Sequence, residues 1–176
     1  MKKIVLWILG IVVVLVLAFY AFNSYIYHEK QGDAWTPKDA TYVIENQPVT
    51  LVNGKAEAPA APGSASKVVT TYFGNEAVGD LNGDGKPDTA FILTQNQGGS
   101  GTFYYVVVAL KTNTVYQGTN AVVLGDRIAP QTTEIKDGQL VVNYAERATG
   151  EPMTAQPSVG VSKYLKVEGG NLVVVQ

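Results

Sequence analysis

Residues 80–88 carry oxygen-bearing side chains at Asp80, Asn82, Asp84 and Asp88, in the order D-x-N-x-D-G-x-x-D. Alternate spacing of this kind turns side chains toward one centre. Hard oxygen donors so arranged suit calcium, which takes about 6–8 oxygens, and such loops add the main-chain carbonyl of the seventh position, here Lys86, after a sharp reversal at Gly85. Three carboxylates neutralise the ion locally. The same residues can instead form an Asx-rich turn in which Asp and Asn oxygens bond their own backbone and glycine supplies a positive φ. An EF-hand would place a bidentate Glu at the twelfth position, which is Phe91, so a helix-loop-helix calcium switch is excluded. A bound calcium is therefore expected to stabilise rather than to signal.

These nine residues resemble the Asp-rich calcium loops of FG-GAP and dockerin-type repeats, in which the loop leads directly into a strand, as residues 89–93 are expected to do here. Carried over residue by residue, the resemblance implies side-chain ligands at Asp80, Asn82, Asp84 and Asp88 and a main-chain ligand at Lys86. The loop occurs once, whereas those folds use several copies or a pair, so neither whole fold is implied. More loosely, residues 79–167 resemble uncharacterised bacterial envelope proteins, through residues 99–105 and 124–127. That resemblance implies a location and no activity.

Other reactive side chains are sparse. His28 is the single histidine, and there is no cysteine. This excludes disulfides, thiolate zinc sites, cysteine nucleophiles and lipid-attachment cysteines. Ser-His-Asp chemistry needs an imidazole held in geometry, and His28 falls in an irregular stretch. Asp126, Glu146 and Glu151 could supply the two carboxyls of a glycosidase, which stand roughly 5–10 Å apart, or they could be scattered surface acids. Ten tyrosines offer apolar area with a polar tip and suit a binding face or half-buried strand positions. Residues 148–157 form a long irregular connection of the kind that carries binding on a rigid scaffold. Glu151, Pro152 and Met153 are its candidate partner surface.

The elements that must position these residues read as strands. β-Branched and aromatic residues fill 41–44, 48–52, 67–73, 89–94, 102–110, 121–124, 132–135, 140–144, 161–167 and 172–175. Turn residues separate them, among them Asn53-Gly54, which joins 48–52 to a further strand-like stretch at 55–57, residues 98–101, residues 118–120, Asp137-Gly138 and Gly169-Gly170. Residues 102–110 are apolar on both alternating faces, which predicts a central strand covered on each side. Residues 56–66, rich in Ala, Pro, Gly and Ser, predict a surface loop. The fold class expected is an all-β domain over residues 41–176, a sandwich or barrel-like meander, preceded by one N-terminal transmembrane helix.

That helix is expected over residues 4–22, nineteen residues interrupted only by Gly10 and Tyr20. At 1.5 Å rise per residue the run approaches the roughly 30 Å of a bilayer's hydrocarbon core. Lys2 and Lys3 before it predict a cytoplasmic N-terminus (residues 1–3) and an exported remainder. A cleaved signal peptide has a shorter apolar core and a small-x-small site; Ala18 and Ala21 are three apart, so retention is expected. Residues 23–40 predict a stalk. With Lys2 and Lys3 set aside, the 13 basic side chains fall to 11 against 15 acidic ones. No basic stripe is present, which argues against a nucleic-acid partner. The sequence thus predicts a single-pass protein of the bacterial cytoplasmic (inner) membrane, in contact with lipid through residues 4–22. Its exported domain would bind an envelope protein or polysaccharide, with a carboxylate-dependent hydrolase of envelope polymers as the alternative.

Overall fold

The run of apolar residues at 102–110 needs two covers, one for each alternating face, and the fold supplies both. In the computed structural model, which describes residues 16–19 and 34–175, this run forms β6 (Phe103–Lys111) beside β5 (Asp88–Asn96). Ala90, Ile92, Val106, Val108 and Leu110 enter one core, while Phe91, Leu93, Tyr105, Val107 and Ala109 enter another. The expected doubly covered strand is borne out, and β5 shares the role.

The first core is closed by a four-stranded antiparallel sheet in the order β12 (Asn171–Val175), β11 (Val159–Glu168), β10 (Gln139–Glu146), β9 (Ala129–Lys136). Leu140, Val142, Tyr144, Leu165 and Leu172 face β5 and β6 from it. The second core lies under the hairpin β1 (Thr41–Ile44) and β2 (Gln47–Thr50), whose Tyr42 and Ile44 meet Phe91 and Leu93. Tyr42 stands edge-on to Phe91, with ring centroids 5.5 Å apart. Full burial of a side chain of this size contributes roughly 1.5–3 kcal/mol. The domain is all-β.

The central sheet runs β3 (Lys55–Pro59), β4 (Lys67–Gly79), β5, β6, β7 (Tyr116–Gly118), with β8 (Val122–Asp126) also paired to β6. It curls because β4 carries two register shifts, on either side of Gly74, and bulges bend a strand and increase its twist. The far half of β4 thereby reaches β9, where Asn75 Nδ2 donates to Thr133 Oγ1 at 3.2 Å. The β1–β2 hairpin continues the curl: Val43 N donates to the Thr119 carbonyl, and Ala121 N donates to the Val43 carbonyl.

Two boundaries differ from those expected. The domain begins at Ala34 rather than Thr41: Ala34 pairs with Tyr116, residues 37–39 form a 3-10 turn capped by Thr36, and Ala34 and Ala40 are buried. Two small apolar residues leave too weak a periodic signal to mark this. The strand-like stretch at 55–57 forms β3, which pairs with β4 and runs on through 58 and 59 into the expected 56–66 loop, because that pairing overrides the poor strand preference of Ala and Pro. The Ala/Pro loop proper is residues 60–66. The expected span at 4–22 lies outside the described residues except for 16–19, which are helical and exposed. Among the described residues no helix is long and apolar enough to cross a membrane.

Burial also sets an alkaline limit. Tyr42, Tyr72, Tyr105 and Tyr144 all have hydroxyl pKa values raised, chiefly by burial; Glu76, Glu45 and Glu146 add to the effect at Tyr72, Tyr105 and Tyr144 respectively. Because the folded values exceed the unfolded value of about 10, the stabilisation is complete below pH 10. It is lost as pH rises toward the folded values. Denaturant midpoints measured from pH 8 to 12 are expected to hold to about pH 10 and then fall; a flat profile to pH 12 would contradict the burial of these hydroxyls.

Candidate functional site

Residues 80–87 connect β4 to β5 as a tight curl built from side-chain to backbone bonds. Asp80 accepts from Gly83 N through Oδ1 and from Gly85 N through Oδ2, both at 2.8 Å. Asn82 Oδ1 accepts from Asp84 N at 3.0 Å, and Asp84 Oδ1 from Lys86 N at 2.9 Å. Lys86 Nζ stands 3.0 Å from Asp84 Oδ2. The Asp84 carboxyl is held below its usual pKa by the Lys86 amide first and the Lys86 ammonium second. These are successive Asx turns, and they place the oxygens of Asp80, Asn82 and Asp84 along the exposed curl.

Asp88 stands apart. It is completely buried, with Oδ2 accepting from Leu81 N and Oδ1 from Lys111 N, each at 2.9 Å. It ties the end of the loop to the end of β6. Among the described residues no three His, Cys, Asp or Glu side chains gather as a metal group. The oxygen donors fit calcium by chemistry, since a carboxylate oxygen bonded to one amide keeps a lone pair. The geometry divides them into two exposed groups, Asn82 and Asp84, the half-buried Asp80 and one buried anchor, Asp88.

Of the carboxylates considered for hydrolysis, Asp126 and Glu151 are engaged separately and Glu146 is exposed at the end of β10. Asp126 accepts from Thr102 N at 2.8 Å and pairs with Arg127 at 2.9 Å. Burial raises its pKa, but Arg127, the Thr102 amide and the charge of Arg147 together outweigh this and lower it. Glu151 Oε2 accepts from Ala148 N. Asp126, Glu146 and Glu151 share no hydrogen-bond partner among the described residues. The 148–157 connection is ordered by Arg147, whose guanidinium donates to the Ala155 carbonyl at 2.6 Å and to the Arg127 carbonyl at 2.9 Å. Glu151, Pro152 and Met153 lie exposed on it.

One concave surface among the described residues was missed by the sequence reasoning. A groove of about 690 Å³ runs between the β1–β2 hairpin and the β3 side of the curled sheet. Val49 and Pro48 form one wall and Ala58 to Pro62 the other, over a floor of Val68 and Gln95. A smaller hollow of about 150 Å³ continues it toward Thr50 and Glu57. Gln95 is buried and bonded to Thr70 Oγ1, and Gln97 bonds to Gln95. The floor is therefore a fixed amide chain rather than an adaptable one. Glu45, whose Oε1 accepts from the Tyr105 hydroxyl at 2.8 Å, is the single charged residue lining the larger part. The available signal was compositional: the Ala/Pro stretch after Asn53-Gly54 makes the wall of a groove, not a free loop. No family model, curated protein or solved structure matches this chain.

Proposed function

We propose that this chain is a non-catalytic binding module, anchored by residues 4–22 in a bacterial cytoplasmic membrane with its β domain outside the cytoplasm. The observation that carries the binding role is the groove between β2 and β3, pre-formed and lined by small apolar residues over a polar floor. Such concave, mostly apolar surfaces with a few fixed polar groups are the usual form of binding sites. Catalysis gains no comparable support: Asp126 and Glu151 are spent on backbone amides and on Arg127, and Glu146 lies exposed at the end of β10. The partner is an envelope protein or polysaccharide.

A photo-crosslinking side chain placed at Ala60, in the groove wall, is expected to give adducts in intact bacterial cells. The same group at Lys136, exposed on β9, is expected to give none. Equal yields at the two positions, or none at either, would remove the groove as the binding surface. Topology has its own test. Since the chain lacks cysteine, Ser66→Cys gives one thiol, which a membrane-impermeant maleimide should label from outside.

The loop at 80–88 is proposed to hold one calcium ion through Asp80, Asn82, Asp84 and the Lys86 carbonyl, with Asp88 completing the set from its anchoring position. The spacing and the oxygen-rich curl support this. For a dissociation constant near the extracellular range of about 10⁻³ M, calcium at about ten times that value stabilises the fold by roughly 1.4 kcal/mol. The melting temperature of the full chain in detergent should then rise by roughly 4 °C over the chelated protein. Asp84→Ala should abolish the rise. Identical curves with calcium and with chelator would refute occupancy.

A further inference from the structure

The groove has a specific origin in the backbone. Val52 and Lys55 exchange both of their hydrogen bonds, N to O at 2.9 Å and 3.2 Å, across the tight turn at Asn53 and Gly54. In an antiparallel pair the next bonded partners lie two residues further along each strand. These would be Thr50 with Glu57, then Pro48 with Pro59. Neither pairing forms; β2 and β3 have no ladder beyond Val52 and Lys55. The prolines explain the splay, because two facing residues that both lack an N–H exchange no bond.

The edges left open can be read from the bonds that do form. Tyr42 and Val49 pair within the hairpin, and Leu51 N donates to the Ala40 carbonyl, so the backbone groups of Thr50 and Pro48 face away from β1. On the other wall, Ala56 and Ala58 pair with β4, and Ala60 N donates to the Ser66 carbonyl, so those of Glu57 and Pro59 face away from β4. Both sets face the groove. Two strand edges thus confront one another across a hollow, each offering one amide donor and two carbonyl acceptors.

We infer that this slot takes an extended peptide segment of a partner protein by strand addition, its backbone bonding to Thr50 and Glu57 and the carbonyls of Pro48 and Pro59. The inference rests on the binding-module reading and names its ligand class. Only an extended backbone offers donors and acceptors at the repeat of the two edges, which is how peptides join exposed sheet edges generally. The Ala and Pro walls leave room for small apolar side chains at alternate positions. Glu45 at the mouth favours a Lys or Arg at the adjoining end of the peptide.

The test uses the full chain in detergent and a phage-displayed library of linear dodecapeptides. A selected peptide is resynthesised with single backbone N-methylations along its length, each removing one amide donor. Strand addition between the two edges predicts affinity losses of tenfold or more over a run of about four consecutive residues, whose amides turn alternately to β2 and β3, and little change outside that run. Thr50→Pro, which removes the matching donor on β2, should weaken the same peptide at least fivefold while the melting temperature confirms that the variant is folded. Losses confined to a single residue or spread along the whole peptide, or a peptide insensitive to N-methylation, would overturn the proposal. Failure to select any peptide while Ala60 still gives adducts overturns the peptide class and leaves the binding role standing. Failure of both removes the binding role as well.

Discussion

Gly118→Ala is expected to lower the melting temperature of the full chain by roughly 10 °C, corresponding to about 3 kcal/mol for a domain of this size. A Cβ at this position in β7 would run into the Thr41 carbonyl oxygen and stand 2.7 Å from the Tyr42 ring. Backbone oxygen cannot rotate aside as a side-chain tip can. The Tyr42 ring is fully buried, edge-on to Phe91, and its hydroxyl donates to the Pro37 carbonyl at 2.6 Å. Relief of the clash therefore displaces β1, and with it the cover of the second core. Gly160→Ala on β11, where an added methyl meets open space, is the control and should change stability by no more than about 0.5 kcal/mol. Equal melting temperatures for the two variants would show that the hairpin does not cross β7 as closely as described.

Asp88→Ala is expected to destabilise the domain by roughly 4 kcal/mol, because it strands the buried Leu81 amide and the part-buried Lys111 amide at about 1–3 kcal/mol each and leaves a hole in the packing. The carboxylate is wholly buried and is the acceptor for both amides. Asp80→Ala, which frees the amides of Gly83 and Gly85 on an exposed curl, should cost only about 1 kcal/mol, since water replaces the lost acceptor. Denaturant melts in calcium and in chelator separate the two contributions of the loop. A penalty for Asp88→Ala that persists in chelator belongs to the anchor; one that disappears there would make Asp88 solely an ion ligand.

These two positions also mark how far the residues alone could be read. Glycine at 118 stood in an apparent turn with Thr119 and Asn120, but its necessity comes from a strand nearly eighty residues earlier in the chain, at Thr41 and Tyr42. Nothing in the local pattern records that approach. Asp88 was legible as part of an acidic motif, because oxygen spacing is a local property. That it differs from its three companions was not, because the difference is burial against β6, whose Lys111 is brought to it by the β5–β6 ladder.

The strand content of the domain followed from local residue types. β-Branched and aromatic runs broken by residues such as Asn53-Gly54 and Asp137-Gly138 settle into strands and turns with little help from distant contacts, and the doubly apolar run at 102–110 required a layer on each side. The expected turns appear with positive φ at Asn53, Gly54, Asp137 and Gly138. The acidic loop at 80–88 was likewise visible from spacing alone. Tertiary structure decided how the sheet closes. Whether β2 continues to pair with β3 depends on which residues fall opposite one another, and on the register imposed from the far sides by β1 and β4. That register brings Pro48 against Pro59 and opens the groove. It also explains why a stretch of Ala and Pro that looked like featureless loop became a strand along one wall: its partner, β4, supplied the order that its own composition lacks.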